Sequence, residues 1–131
     1  MKREAGTVVN IDGDLFYWIY KSCGGDVTDV EETLASYVRG YADKGISDLL
    51  FCCFCQNSLF PTKVLSWRGD KLTQKEENRG AVDYSETPQV RAVTDIYGAM
   101  TQDPIAFLLE ETRRNGMNAW LSMRMNDAHF N

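Results

Sequence analysis

No stretch of this 131-residue chain stays apolar for long. The longest such run, Leu49 to Cys55, has seven residues, against roughly 20 for a membrane span. The residues ahead of Asp12, M-K-R-E-A-G-T-V-V-N-I, hold no apolar core of a secretory leader. No membrane partner is therefore expected, and with Met1 taken as the true start the expected location is cytoplasmic. Basic residues are in deficit, 14 Lys and Arg against 19 Asp and Glu, for a net charge of -5. A nucleic-acid backbone asks for a basic face, so no nucleic-acid partner is expected.

Other absences narrow the chemistry. Histidine occurs once, and there is no H-x-H pair. Three of the four cysteines crowd into C-C-F-C, Cys52 to Cys55, with no second pair elsewhere. Zinc sites use paired thiols two residues apart on turns, in two sets. On an extended strand Cys53 and Cys55 share a face and Cys52 points the other way, so these read as reduced core thiols. I-D-G-D after the first strand-like run is not G-x-G-x-x-G, so a dinucleotide fold lacks its main signature. No cofactor is expected. There is no internal repeat and no low-complexity tract.

What is present is an ordinary globular composition, 44% apolar and 25% charged. The length suits one domain, residues 1–131. T-V-V-N-I-D, Thr7 to Asp12, is β-rich and reads as a strand. Polar and Gly-rich residues follow to Asp26. T-D-V-E then offers a capping box, with Thr28 as N-cap and Glu31 three later. Val30, Leu34, Val38 and Tyr41 recur at helical spacing, and Gly45 suits the stop. The helix is expected over about 29–44. I-S-D-L-L-F-C-C-F-C reads as a strand covered on both faces. A long polar insert runs over about 57–100, with a charged middle and a short helix near Val90 to Tyr97. Asp103 as N-cap, Pro104 at the first position and Gly116 at the end mark the last helix. Ile105, Leu108, Leu109 and Thr112 form its inner stripe, and Glu110 and Arg114 an outer i,i+4 pair. N-A-W-L-S-M-R-M reads as a third strand. The order β-α-β-(long insert)-α-β predicts an α/β fold with parallel strands and crossover helices.

Ligands of parallel α/β folds bind at the carboxyl ends of the strands. Strand one ends in Asn10, Asp12 and Asp14, with Phe16, Tyr17, Trp18 and Tyr20 just beyond. Strand two ends in Gln56 and Asn57. Strand three ends in Arg124, Asn126, Asp127 and His129. Alternation puts Ala119, Leu121, Met123 and Met125 on one face of strand three and Trp120, Ser122, Arg124 and Asn126 on the other. Val9 and Ile11 face one way on strand one; Val8, Asn10 and Asp12 face the other. A polar face near the strand ends fits a barrel mouth. Carboxylates, amides, a guanidinium and aromatics are what a sugar site uses. Each residue also has a plainer role. Asp12 and Asp14 suit a turn, Arg124 a buried ion pair with Asp12 or Asp127, and His129 idle solvation. Among the aromatics, Trp18 is the candidate for binding rather than packing.

R-R-N-G-M-N-A-W-L-S-M-R-M-N-D-A-H-F, Arg113 to Phe130, resembles the third-strand region of an uncharacterised bacterial glycoside-hydrolase-like (β/α)8 barrel family with a W-L-S-x-R-M-N-D-x-H motif. F-P-T-K-V, Phe60 to Val64, is similar to a Pro-Ser-Lys-Val segment of that family, which adds Lys63 to the site. N-I-D-G-D-L-F-Y is similar to its first strand. Cys52 and Phe54 depart from the more polar residues expected there. The resemblance implies the first three strands of a barrel that needs about 250 residues, with the catalytic carboxylates on later strands. Asp12, Asp14, Trp18, Gln56, Asn57, Lys63, Arg124, Asn126, Asp127 and His129 then position a carbohydrate ligand. Asp12 and Asp127 are the weaker candidates for catalysis itself. The chain alone is expected to be inactive and to self-associate through open strand edges.

Two other functions fit the residues. One is a non-catalytic sugar-binding or interaction module. The other is a metal-dependent barrel hydrolase with Asp12, Asp127 and His129 as hard-metal ligands.

Overall fold

The computed structural model describes residues 6–11, 14–55, 57–63 and 87–124, with the backbone alone at 55 and 57. Among these residues the order is β1 (Thr7–Ile11), α1 (Leu15–Ser22), α2 (Val30–Ala42), β2 (Ile46–Cys55), β3 (Asn57–Ser58), α3 (Pro88–Ala99), α4 (Pro104–Arg114) and β4 (Asn118–Met123). The protein is α/β, with a three-stranded parallel sheet, as the alternation of elements predicts.

β2 is the middle strand. β1 pairs with it on one side and β4 on the other, both parallel. Val9, Leu49 and Ala119 form one cross-sheet row, and Ile11, Phe51 and Leu121 the next on the same face. β3 is a two-residue antiparallel return against the end of β2, with Phe54 opposite Ser58. The β2–β4 register shifts between Cys52 and Phe54, leaving Cys53 as an extra residue on β2. Such a bulge bends the strand and re-aims the side chains beyond it. Simple alternation therefore fails past Cys53.

One core lies on one side of the sheet. Ile11, Leu49, Phe51 and Cys53 pack there with Leu15, Phe16 and Ile19 of α1 and Leu34 and Val38 of α2. Val93 and Ile96 of α3 and Ile105 and Leu108 of α4 complete it. A fully buried Leu or Phe contributes roughly 1.5–3 kcal/mol, so this layer carries the fold. α1 joins α3 through an edge-on Phe16–Tyr97 pair at 5.9 Å and a 2.9 Å hydrogen bond from the Tyr20 hydroxyl to Asp95.

β2 departs from the expected strand covered on both faces. Leu49, Phe51 and Cys53 meet helices, but no described helix covers the opposite side. Val8 there is 59% exposed and Trp120 52%. Cys52 is nevertheless buried on that side.

The helices correct three expectations. Leu15–Ser22 is a helix where a polar, Gly-rich stretch was expected. Its aromatics have high strand propensity, but Leu15, Phe16 and Ile19 recur at helical spacing and are buried. Tertiary burial decides such cases. Thr28 does not cap α2; Asp29 is the N-cap and makes no side-chain cap bond. The Thr28 N–H is instead held by the Asp26 carboxylate at 2.8 Å, an Asx turn that competes with capping. α3 is longer than the 90–97 expected, because Thr87 caps it and Pro88 starts it.

α4 follows its sequence signals. The Asp103 carboxylate accepts from the Ala106 N–H at 2.9 Å. Arg114 pairs with Glu110 at 2.6 Å and also with Glu111 at 2.8 Å. The inner stripe holds Ile105, Leu108 and Thr112 as expected, with Phe107 buried and Leu109 only half-buried. Gly45 (φ 72°) and Gly116 (φ 78°) occupy the left-handed region, which glycine reaches without the Cβ clash. Each turns a helix straight into the next strand. No described helix is long and apolar enough to cross a membrane.

Candidate functional site

Parallel strands bring their carboxyl ends to one edge. β1 ends at Ile11 and β4 at Met123, so Asp14 and Arg124 both fall just past that edge. Asp14 is half-buried at the N-cap of α1. Its carboxylate makes no cap bond, while its backbone carbonyl accepts from Trp18 N–H at 3.1 Å. Arg124 is half-buried, and its N–H donates to the Phe54 carbonyl at 3.3 Å. That bond ties the exit of β4 to the exit of β2.

Trp18 is 56% exposed on α1. It packs edge-on against Tyr17 with centroids 5.1 Å apart, and the Lys21 ammonium sits 5.5 Å from its ring. Lys63 is exposed, five residues past β3. Asn57 contributes backbone pairing with Cys55 in the return. Asp12, Gln56, Asn126, Asp127 and His129 lie outside the described residues. The two weaker catalytic candidates and the three hard-metal ligands are among them.

The described residues build a second arrangement, on the helix-free face of the sheet. Asp48 stands between Val8 of β1 and Asn118 of β4. Its Oδ1 accepts from Asn118 Nδ2 at 2.9 Å and from Trp120 Nε1 at 3.0 Å. Its Oδ2 accepts from the Ser47 hydroxyl at 2.6 Å. One carboxylate thus holds two side chains of the neighbouring strand. Trp120 is paired with Leu50, two residues beyond Asp48, so its indole leans over the middle strand toward the amino end.

Beyond it the Ser122 hydroxyl donates to Asn10 Oδ1 at 3.0 Å. Asn10 is on β1 and Ser122 on β4, so this bond passes over β2. It runs at the level of Leu50 and Cys52, the partners of Asn10 and Ser122. That bridge lies over Cys52, which no described helix covers on this side. The Cys52 thiol turns back to the Phe54 carbonyl at 3.2 Å. Cys53, on the helix side, reaches the Ser122 carbonyl at 3.5 Å, and burial pushes its thiol up.

The expected polar face of β4 is therefore real for Trp120 and Ser122, and likewise for Asn10 on β1. Asp48 and Asn118 were not among the candidates. The signal for Asp48 was a lone acid inside an apolar strand, which a strand-end search passes over. The face combines a half-exposed indole, one carboxylate, two amides and a hydroxyl. It can hydrogen-bond neutral hydroxyls and stack against a ring. On the helix side, a separate open groove of about 390 Å³ is lined by Ser22, Cys23, Asp29, Glu32, Ser36 and Tyr37 among others. Among the described residues no three His, Cys, Asp or Glu side chains gather as metal ligands.

No protein-family model matches the chain, and no curated protein matches it significantly.

Proposed function

We propose that the chain forms the opening β/α units of a carbohydrate-active, glycoside-hydrolase-like (β/α)8 barrel and positions a saccharide. One observation carries the reading: every described helix packs on one face of the sheet, while the other face holds Asn10, Asp48, Asn118, Trp120 and Ser122. A barrel wall has that asymmetry, helices outside and a lining of side chains within. The strand order β1-β2-β4 adds each new parallel strand beside the last, which is how a barrel wall grows. The carbohydrate class follows from the side chains. Amides, a carboxylate and a hydroxyl match sugar hydroxyls, and an exposed indole matches the apolar face of a pyranose ring.

Asp14, Trp18, Lys63 and Arg124 belong, on this reading, to the substrate-positioning set at the carboxyl edge. Asp12, Gln56, Asn57, Asn126, Asp127 and His129 complete it. The catalytic carboxylate pair is assigned to later strands of a longer protein.

The test uses the intact protein and a panel of aryl glycosides and oligosaccharides. Hydrolysis of one glycoside class is expected, with Arg124→Ala raising KM at least tenfold. Asp127→Asn is expected to keep turnover; its abolition would move Asp127 into the catalytic pair. Saccharide binding without hydrolysis would favour a non-catalytic sugar-binding module. Absence of both binding and hydrolysis across the panel would remove the carbohydrate reading.

A further inference from the structure

We infer that Asn10 and Ser122 are positioning residues for Arg124: their hydrogen bond fixes the exit of β4 and so the place where the guanidinium meets a saccharide. This rests on the carbohydrate reading above, in which Arg124 belongs to the set at the carboxyl edge, and adds the pair that holds it there.

The strand ladder shows why such a pair is needed. β4 pairs with β2 residue for residue from Asp48 to Cys52, and the register then shifts between Cys52 and Phe54. A bulge disrupts the ladder locally. This one falls beside Ser122, the partner of Cys52, and Arg124 follows two residues on. β4 therefore loses regular pairing just where it delivers its charged side chain.

Three bonds outside the ladder hold the exit instead. The Ser122 hydroxyl donates to Asn10 Oδ1 at 3.0 Å. From the helix side the Cys53 thiol donates to the Ser122 carbonyl at 3.5 Å. The Arg124 N–H donates to the Phe54 carbonyl at 3.3 Å. The last two tie β4 to the bulged segment itself. The first reaches past it to β1. Asn10 is a firm anchor there, because it is paired with Leu50 and its neighbour Ile11 is buried in the core. A bond that skips the middle strand also matches barrel layering, in which alternate strands supply one layer of side chains. The pair lies one step beneath the strand ends, so it acts on a ligand through what stands above it. Guanidinium contacts depend on angle as well as distance, and a small displacement of the strand exit weakens them.

The intact protein is assayed with the para-nitrophenyl glycosides of β-glucose, β-galactose, β-xylose and α-mannose. It is also titrated by calorimetry with cellotetraose, xylotetraose, mannotetraose and maltotetraose; Kd replaces KM where a saccharide binds without turnover. Ser122→Ala is expected to raise KM about threefold with kcat unchanged. Asn10→Ala breaks the same bond from the other strand and is expected to match it, so one variant suffices if the other fails to fold. Ser122→Thr keeps the hydroxyl and is expected to restore KM. In an Arg124→Ala background, Ser122→Ala is expected to add nothing to KM, because the side chain it positions is gone. Asp103→Ala removes a helix cap outside the site and is expected to lower the thermal midpoint with KM unchanged. If loss of the Asn10–Ser122 bond behaves like Asp103→Ala, the pair is only structural. If its effect on KM multiplies with that of Arg124→Ala, Ser122 touches the ligand itself and the positioning role is overturned. An Arg124→Ala variant with the wild-type KM also overturns it. Each of these results leaves the carbohydrate reading standing. Neither turnover nor binding of any probe overturns both.

Discussion

The Ser122 hydroxyl and the Asn10 amide oxygen, 112 residues apart in sequence, meet at 3.0 Å above the middle strand. The bond clips the two outer strands of the parallel sheet to each other without using the backbone ladder. It should be felt as coupling. In a double-mutant cycle of Asn10→Ala and Ser122→Ala, urea unfolding should give an interaction energy of about 0.5–1.5 kcal/mol. Additive effects would mean that the two side chains act separately.

Asp103 and Thr28 both carry the sequence mark of a helix cap, and only Asp103 makes the bond. Asp103→Ala should lower stability by about 1 kcal/mol. Thr28→Ala should cost clearly less. Denaturant midpoints of the two variants, measured side by side, check this.

Leu108 is wholly buried where α4 meets the rest of the helix layer. Leu108→Ala should cost about 2–5 kcal/mol through lost burial and a residual cavity. A loss this large takes a substantial share of a typical domain's stability, so thermal unfolding should show a strongly lowered midpoint or no transition.

Three phenols stay neutral beyond their ordinary range. Burial foremost raises Tyr37 and Tyr97, and the hydrogen bond to Asp95 foremost raises Tyr20. A raised folded-state value favours the protonated form in the native protein. Their contribution is therefore whole below the ordinary phenol value of about 10 and is lost as pH rises toward the folded values. Urea midpoints should hold level from pH 8 to about pH 10 and fall above it. Tyr37→Phe should flatten that fall; an unchanged slope would contradict the assignment.

The thiols should separate by reactivity. Cys23 is half-buried, while Cys52 and Cys53 are buried, and burial further raises Cys53. Thiolate is the reactive form. Of these three, iodoacetamide should modify Cys23 first in the native protein, with Cys52 and Cys53 labelled only on unfolding. Peptide mass spectrometry reads the order directly.

What could be read in the sequence was local. D-P at the start of α4 and G at its end act within one turn, so the chain states them openly. The β-branched run of β1 and the apolar run of β2 are local too. Leu15–Ser22 was hidden because its aromatics suit either element, and only the core beneath Leu15, Phe16 and Ile19 makes it a helix. Thr28 failed as a cap because Asp26 two residues earlier offers its backbone N–H a competing partner. The site divides the same way. Alternation showed that Asn10, Trp120 and Ser122 avoid the helix side. That Asp48 gathers Asn118 and Trp120 depends on strand register, which brings residues 70 and 72 positions away into reach. No spacing rule within a strand contains that information. The bulge at Cys53, which breaks the alternation, is equally invisible there.

Gly45 and Gly116 leave no slack between each helix and the strand that follows. An inserted residue in either turn would slide a whole strand and move its side chains to the wrong face. At the opposite edge the connection from β2 to α3 runs over residues 56–87, although that from β1 to α1 is as short as the glycine turns. Sequence change can therefore accumulate at the carboxyl edge while the amino edge is held to a fixed length. The fold thus has a conservative end and an inventive end. New binding preferences can arise at the second without renegotiating the first.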